Sequence, residues 1–189
     1  DTGYLMWQQA YRRGKNAVLK NAVPHPSGGF VFVGESEPYK ITRNEKMAAW
    51  GIWLGADGKP IWQRFWRSPY NMSGQDVITV DNNLIQVLVQ ADTLDAKKRD
   101  HAKILTLTLR GQLIEEEAFM EGGNTNGVAL LKLPQQKRAI AGYAQTVFSL
   151  GDGNAETETG IYDAWLLLAN APEAFTDPCK QGAPANNPL

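Results

Sequence analysis

Two histidines, His25 and His101, and one cysteine, Cys179, are the only imidazoles and the only thiol in the chain. Nucleophilic catalysis needs a base within reach of a nucleophile and a third group that orients the base. His25 stands in Pro24-His25-Pro26, a turn sequence that reads as a surface position, and no Gly-x-Ser-x-Gly elbow presents a serine. Cys179, in Thr176-Asp177-Pro178-Cys179-Lys180, has no histidine near it in sequence and reads as a free thiol or as half of an intermolecular bridge. One cysteine closes no internal disulfide, and this set of thiol and imidazoles does not build the common zinc sites.

The oxygen ligands offer more. Asp152, Asn154, Glu156 and Glu158 lie at every second residue of Gly151–Gly160, the spacing from which a loop converges carboxylates and carbonyls on a hard cation. Calcium is therefore the one ion for which the chain offers a site. The later bidentate glutamate and the fixed glycine of the full calcium loop are missing, so a solvated acidic loop is the better account and no cofactor is expected. Glu115-Glu116-Glu117 and Glu121 face Lys97-Lys98-Arg99 as short runs of opposite sign. Paired carboxylates can serve a glycosidase, but neighbours on a strand point to opposite faces, so a solvated strand edge explains the run better.

Six Trp, six Tyr and six Phe supply the remaining candidates. Trp7, Trp50, Trp62 and Trp66 could stack on sugars, yet most recur at equivalent repeat positions, as packing between repeats requires. Trp53 breaks that pattern. Trp53, Trp66, Tyr39 and Tyr70 are the positions from which a glycan or protein partner would be contacted.

The elements that must position these residues are β-strands. Aromatic residues together with 18 Gly and 10 Pro favour strands and tight turns. The 189 residues suit one domain with a real core, and the formal charge of −1 argues against a protein that grips nucleic acid or an acidic membrane surface. No apolar stretch approaches the roughly 18 residues of a membrane span. The sequence starts at Asp1 with no initiator Met and no apolar leader, which reads as a mature, trimmed or excised chain.

The chain repeats. Gly29–Gly34, Asn83–Leu88 and Lys137–Gly142 align in two steps of 54 residues, each preceded by a short apolar run and a turn. Ala49–Leu54, Ala102–Leu107 and Tyr162–Leu167 align as a third strand, followed by turns at Ala56-Asp57-Gly58, Leu109-Arg110-Gly111 and Ala169-Asn170-Ala171. Pro60–Trp66 and Gln112–Phe119 make a fourth strand, and Glu173-Ala174-Phe175 repeats the end of the latter. Gly3–Tyr11 overlays Gly58–Trp66, with Trp7 on Trp62 and Tyr11 on Trp66. The expectation is an all-β domain over residues 1–176, with repeats at about 16–66, 75–120 and 126–175, an extra closing strand at 3–11, and an extended tail or linker at 177–189. Val31, Val33, Ile52, Leu54, Val87, Val89, Ile104, Ile140 and Leu166 are its expected core.

Four-stranded antiparallel meanders with an out-of-phase terminal strand are the pattern of a β-propeller, in which pairing the first and last segments removes exposed edges. Three repeats are few for a closed ring. Either they are three blades of a larger assembly, or another chain completes the ring, or the threefold repeat is a β-trefoil.

Residues 28–36 (Gly-Gly-Phe-Val-Phe-Val-Gly-Glu-Ser) and 49–65 (Ala-Trp-Gly-Ile-Trp-Leu-Gly-Ala-Asp-Gly-Lys-Pro-Ile-Trp-Gln-Arg-Phe) resemble the tandem propeller-type repeats of secreted and surface bacterial proteins. Asp57-Gly58-Lys59-Pro60-Ile61-Trp62 and Asp1-Thr2-Gly3-Tyr4-Leu5-Met6-Trp7 also resemble the tryptophan-docking motif of quinoprotein propellers. That resemblance implies tryptophans that hold blades together, and it carries over no quinone-binding or calcium-binding residue. The first implies a secreted, periplasmic or cell-surface setting. Together these features lead to a non-catalytic binding or assembly module that presents blades to a protein or glycan partner, or to itself. The alternative is part of a propeller hydrolase or oxidoreductase whose site is completed elsewhere or by Asp100, Asp163 and Glu35.

Overall fold

The structure is a computed structural model that describes residues 5, 7–12, 14–37, 46–80, 83–92, 101–119, 124–135, 137–146 and 161–170. Among them there is no helix. Short apolar runs are punctuated by turn residues, and each hairpin turns where those residues stand: at Pro26–Gly29, Ala56–Gly58, Leu109–Gly111 and Pro134-Gln135, where Gln135 takes φ of 59°. The result, among the described residues, is eleven antiparallel strands: β1 (Ala17–Pro24), β2 (Phe30–Ser36), β3 (Ala48–Leu54), β4 (Pro60–Trp66), β5 (Met72–Val80), β6 (Leu84–Ala91), β7 (His101–Thr108), β8 (Leu113–Phe119), β9 (Thr125–Leu133), β10 (Lys137–Thr146) and β11 (Ile161–Asn170).

They form three meanders, β1-β2-β3-β4, β5-β6-β7-β8 and β9-β10-β11, none closed into a barrel. The sheets pack face to face in chain order. β5 lies against β1, β2 and β3, and β9 lies against β5, β6 and β7. Between the first and second sheets sit Val31, Val33, Ala49, Trp62 and Trp66 against Val77, Ile85, Val87, Leu105 and Leu107. Between the second and third sit Leu88, Ala102 and Ile104 against Leu130, Ile140, Trp165 and Leu167. Burying apolar faces in this way is the main favourable term of the fold.

The ladders reveal how the repeats correspond. Each first strand carries one β-bulge: Lys20 is extra between Leu19 and Asn21, Gln75 between Gly74 and Asp76, and Val128 between Gly127 and Ala129. Opposite the bulges lie Val33/Gly34, Leu88/Val89 and Ala141/Gly142. Gly34 therefore corresponds to Val89 and to Gly142, in steps of 55 and 53 residues. The third hairpin differs again, because Gly55 N bonds to Lys59 O as Thr108 N does to Gln112 O, a step of 53.

This corrects the uniform step of 54. Gly34 and Gly142 do correspond, but Leu88 is one residue out of place. A slip of one reverses the face of every side chain. Val31 and Val33 face the second sheet, whereas their true counterparts Gln86 and Leu88 lie on the second sheet's other face, and Leu88 packs toward the third.

Eight of the nine expected core residues are buried: Val31, Val33, Ile52, Leu54, Val87, Val89, Ile104 and Ile140. Leu166 is not; it is 66% exposed. By register it corresponds to Ile104, which is fully buried because the third sheet covers it, and no described element covers Leu166 in the same way.

Candidate functional site

The chemistry-bearing groups gather where sheets meet. At the third hairpins, Gly58 and Gly111 take φ of 76° and 74°, conformations that L side chains rarely adopt, and the missing Cβ leaves the peptide bare. A tryptophan lies on each. Trp7 rests on Gly58, where a Cβ would come within 3.2 Å of the indole, and Trp62 rests on Gly111, where it would come within 3.1 Å. Tyr11 Oη donates to Gly58 O, and Trp62 Nε1 donates to Leu109 O at 3.1 Å. The first dock is made by the N-terminal segment and the second by β4, so the two are equivalent contacts one sheet apart.

His25 completes the second dock, although its turn sequence reads as a surface position. It is buried, and its ring stacks on Trp53 with centroids 3.7 Å apart. Ser27 N donates to His25 Nδ1 at 3.0 Å, so the ring proton is on Nε2, which donates to Leu109 O at 3.2 Å. Burial lowers the His25 pKa from the ordinary imidazole value, with the Leu109 carbonyl acting in the opposite sense. His101 is also buried and lowered, first by burial and then by the Lys103 ammonium.

On the inner strands, Asp76 ties all three sheets. Asn21 Nδ2 of β1 donates to its Oδ1 at 2.6 Å, Val77 N donates to the same oxygen at 2.7 Å, and Leu130 N of β9 donates to Oδ2 at 2.7 Å. Asn21 is the counterpart of Asp76 and likewise caps the next residue, with Ala22 N donating to Asn21 Oδ1 at 2.7 Å. Nearby, Glu35 accepts from Ser73 Oγ at 2.5 Å and pairs with Lys20 at 2.9 Å. Burial alone would raise the Glu35 pKa; the Ser73 hydroxyl and Lys20 ammonium outweigh it and bring the carboxyl below its usual range.

Between the second and third sheets, buried Arg138 donates through Nη2 to both carboxylate oxygens of Glu117, at 2.6 and 2.7 Å. Its Nε and Nη1 have no hydrogen-bond partner among the described residues. Glu116 pairs with Lys103 at 2.5 Å. The glutamate run on β8 is thus only in part a solvated edge: Glu117 turns inward to a charge that the third sheet brings.

Of the aromatic candidates, Trp66 is buried over Gly51, where an added Cβ would come within 2.5 Å of its ring, so the ring is enclosed rather than presented. Trp53 is half-buried in the second dock, its Nε1 donating to Gly28 O at 2.9 Å. Tyr70 is half-buried in the β4–β5 connection, its backbone N and O bonded to Ser68 Oγ. Tyr39, the acidic loop of Asp152, Asn154, Glu156 and Glu158, and also Lys97, Lys98, Arg99, Asp100, Glu121 and Cys179 lie outside the described residues. Asp163 is exposed on β11 and Glu35 lies on β2 of the first sheet. Among the described residues no group of three His, Cys, Asp or Glu could hold a metal ion, and no helix is long and apolar enough to cross a membrane.

Among the described residues an exposed apolar face lies on the third sheet. Leu131, Tyr143, Tyr162, Leu166 and Leu168 are all exposed and share one face through the pairs Tyr143↔Ala164 and Ala141↔Leu166. The register makes this the counterpart of the faces that carry Val33 on the first sheet and Leu88 on the second, both buried under the sheet that follows. A scan against protein-family models finds no match for the chain, and a search of curated proteins finds none either.

Proposed function

We propose that the chain is a propeller-type repeat module with a non-catalytic role in binding or assembly, and that the open face of the third sheet is its contact surface for protein. The observation that carries this is the contrast between Leu166, 66% exposed, and its counterpart Ile104, fully buried beneath a sheet. Monomeric proteins rarely leave a contiguous apolar patch of this kind in water, and such patches mark sites of association. Succession of antiparallel meanders, first strands side by side and the first two sheets each covered by the next, supports propeller-like packing over a trefoil. The two tryptophan docks support it further, since each joins the third hairpin of one sheet to the strand that precedes it. A secreted, periplasmic or cell-surface setting belongs to the same reading and rests on the resemblance of residues 28–36 and 49–65.

The test compares the full chain with a Leu166→Asp/Leu168→Asp double variant by light scattering and by binding of an environment-sensitive apolar dye. The reading expects the full chain either to associate or to bind the dye strongly, and the double variant to be a monomer with unchanged far-ultraviolet signal and weak dye binding. A full chain that stays monomeric and dye-negative overturns it, as does a folded double variant that associates and binds dye as the full chain does.

A further inference from the structure

We propose that the open face is taken by the N-terminal end of a second copy of this chain, joined head to tail, with residues 5–12 of one copy adding as a fourth strand beside β11 of the other. The proposal rests on the reading that this face is an assembly surface, and adds the partner and the geometry.

Three observations on the two ends of the molecule carry it. First, residues 7–12 belong to no ladder among the described residues, while Trp7 and Tyr11 dock on Gly58 as Trp62 of β4 docks on Gly111. The segment thus occupies the place of a fourth strand from a preceding sheet, and no described strand pairs with it. Second, the described third sheet ends at β11, where the other two sheets have a fourth strand. The intramolecular pairing of the N-terminal strand with Tyr162–Ala169 that the repeat suggests is not made among the described residues. Counting on from β11 at the register of β7, the position of Gly111 falls on Glu173, so the sequence lacks the glycine on which the tight third hairpin depends. Third, both faces of the missing joint are incompletely covered. Leu166 and Leu168 are each 66% exposed at one end; at the other, Tyr11 packs against buried Trp50, Ile52 and Leu54, while Phe30 on the same face is 45% exposed although its counterpart Ile85 is fully buried.

One chain therefore carries both halves of the joint that it already makes twice internally. Such a contact is heterologous: each copy gives its N-terminal end to one neighbour and its third sheet to another, so copies close into a ring or grow into a filament. The added strand gains ladder hydrogen bonds along an edge that pairs with no other described strand, as in β-strand addition.

The experiment blocks each half separately in the full chain. Leu166→Asp/Leu168→Asp blocks the acceptor face. Gln9→Pro/Ala10→Pro blocks the donor strand, because adjacent prolines remove amides of both parities, one of which must face the β11 edge. Analytical ultracentrifugation of each variant alone should give monomer. Mixed, they should give a one-to-one dimer and nothing larger, since each supplies the half that the other lacks, whereas the unmodified chain forms larger rings or filaments. A donor-blocked variant that dimerises alone overturns the head-to-tail geometry, because its open face would then be pairing with itself. An unmodified chain that is monomeric but binds apolar dye overturns the second copy as occupant and leaves the assembly surface standing; a monomeric, dye-negative chain overturns both. Should the acceptor variant fail to fold, hydrogen exchange decides: β11 amides must be protected in the unmodified assembly and exchange faster in the donor-blocked chain, and equal protection in the two refutes strand addition.

Discussion

Asp76 offers the sharpest test of how the sheets are held, because one carboxylate accepts from all three of them. Replacing it with alanine leaves two buried backbone donors, Val77 N and Leu130 N, without acceptors, while the exposed Asn21 amide can turn to water. An unmet buried donor costs about 1–3 kcal/mol, so Asp76→Ala should cost about 3–5 kcal/mol. Asparagine separates the two oxygens. Asn21 shows that an asparagine at this place caps the following amide through Oδ1. Asp76→Asn should therefore keep Val77 N and lose only Leu130 N, which then meets an amide donor, at a cost of about 1.5–3 kcal/mol. Urea unfolding followed by tryptophan fluorescence gives both values, and native-state hydrogen exchange gives their location: Leu130 deprotected in both variants, Val77 only in Asp76→Ala. If both variants fall within about 1 kcal/mol of the parent, or if Leu130 keeps its protection, the carboxylate is not a tie between sheets.

Three further outcomes follow from the docks and the buried charges. His25 is held neutral in the fold with its pKa below the unfolded value of about 6.5, so stability is complete above that pH and is lost as pH falls toward the lowered folded value. Because His101 is lowered as well, His25→Gln should flatten but not abolish the fall in urea midpoint between about pH 7 and 5, and an unchanged slope would count against a neutral His25. Gly111→Ala should cost about 1–3 kcal/mol more than Gly28→Ala, since both have positive φ but only Gly111 lies under an indole; equal losses would show that Trp62 gives way freely. Glu117→Gln should cost about 2–4 kcal/mol by leaving buried Arg138 without a counter-charge, and Arg138→Met should cost less; thermal unfolding showing the opposite order would refute a desolvated pair.

Much of the architecture is written in local chemistry. Turn residues at Pro26–Gly29, Ala56–Gly58 and Leu109–Gly111 mark hairpins because they admit the turn dihedrals, and apolar runs between them are long enough for one strand each. The docks are legible as well, since Trp7 and Trp62 recur before equivalent residues and each sits on a hairpin glycine. The bulges are not. Lys20, Gln75 and Val128 share no side-chain chemistry, and an extra residue in one strand leaves the pattern of the next intact, so similarity alone slides by one and puts Ile85 where Gln86 belongs. Asp76 was hidden for a related reason. A carboxylate in an apolar strand reads as a solvent-facing position, and only the approach of β9, 54 residues later, gives its second oxygen a buried donor. The one available signal was the pairing of Asn21-Ala22-Val23 with Asp76-Val77-Ile78, a polar residue opening an apolar stretch in both repeats.

Leu166 shows where pattern and environment part. Within the strand it is an apolar residue like Ile104, and nothing local distinguishes an inner sheet from an outer one. Stacked repeats that end in water differ in a specific way: their terminal units exchange the apolar residues of the outer face for polar ones, because that face is solvated for the life of the protein. The third sheet makes no such exchange, for Leu131, Tyr143, Tyr162, Leu166 and Leu168 keep the chemistry of an inner face. On the first sheet the outward face is largely covered, with Tyr11 against buried Trp50, Ile52 and Leu54, and Phe30 alone of these apolar positions stays exposed where Ile85 is buried. The outer face of the third sheet and the N-terminal segment, docked on Gly58 as β4 docks on Gly111, are the two features that the proposed head-to-tail contact would join.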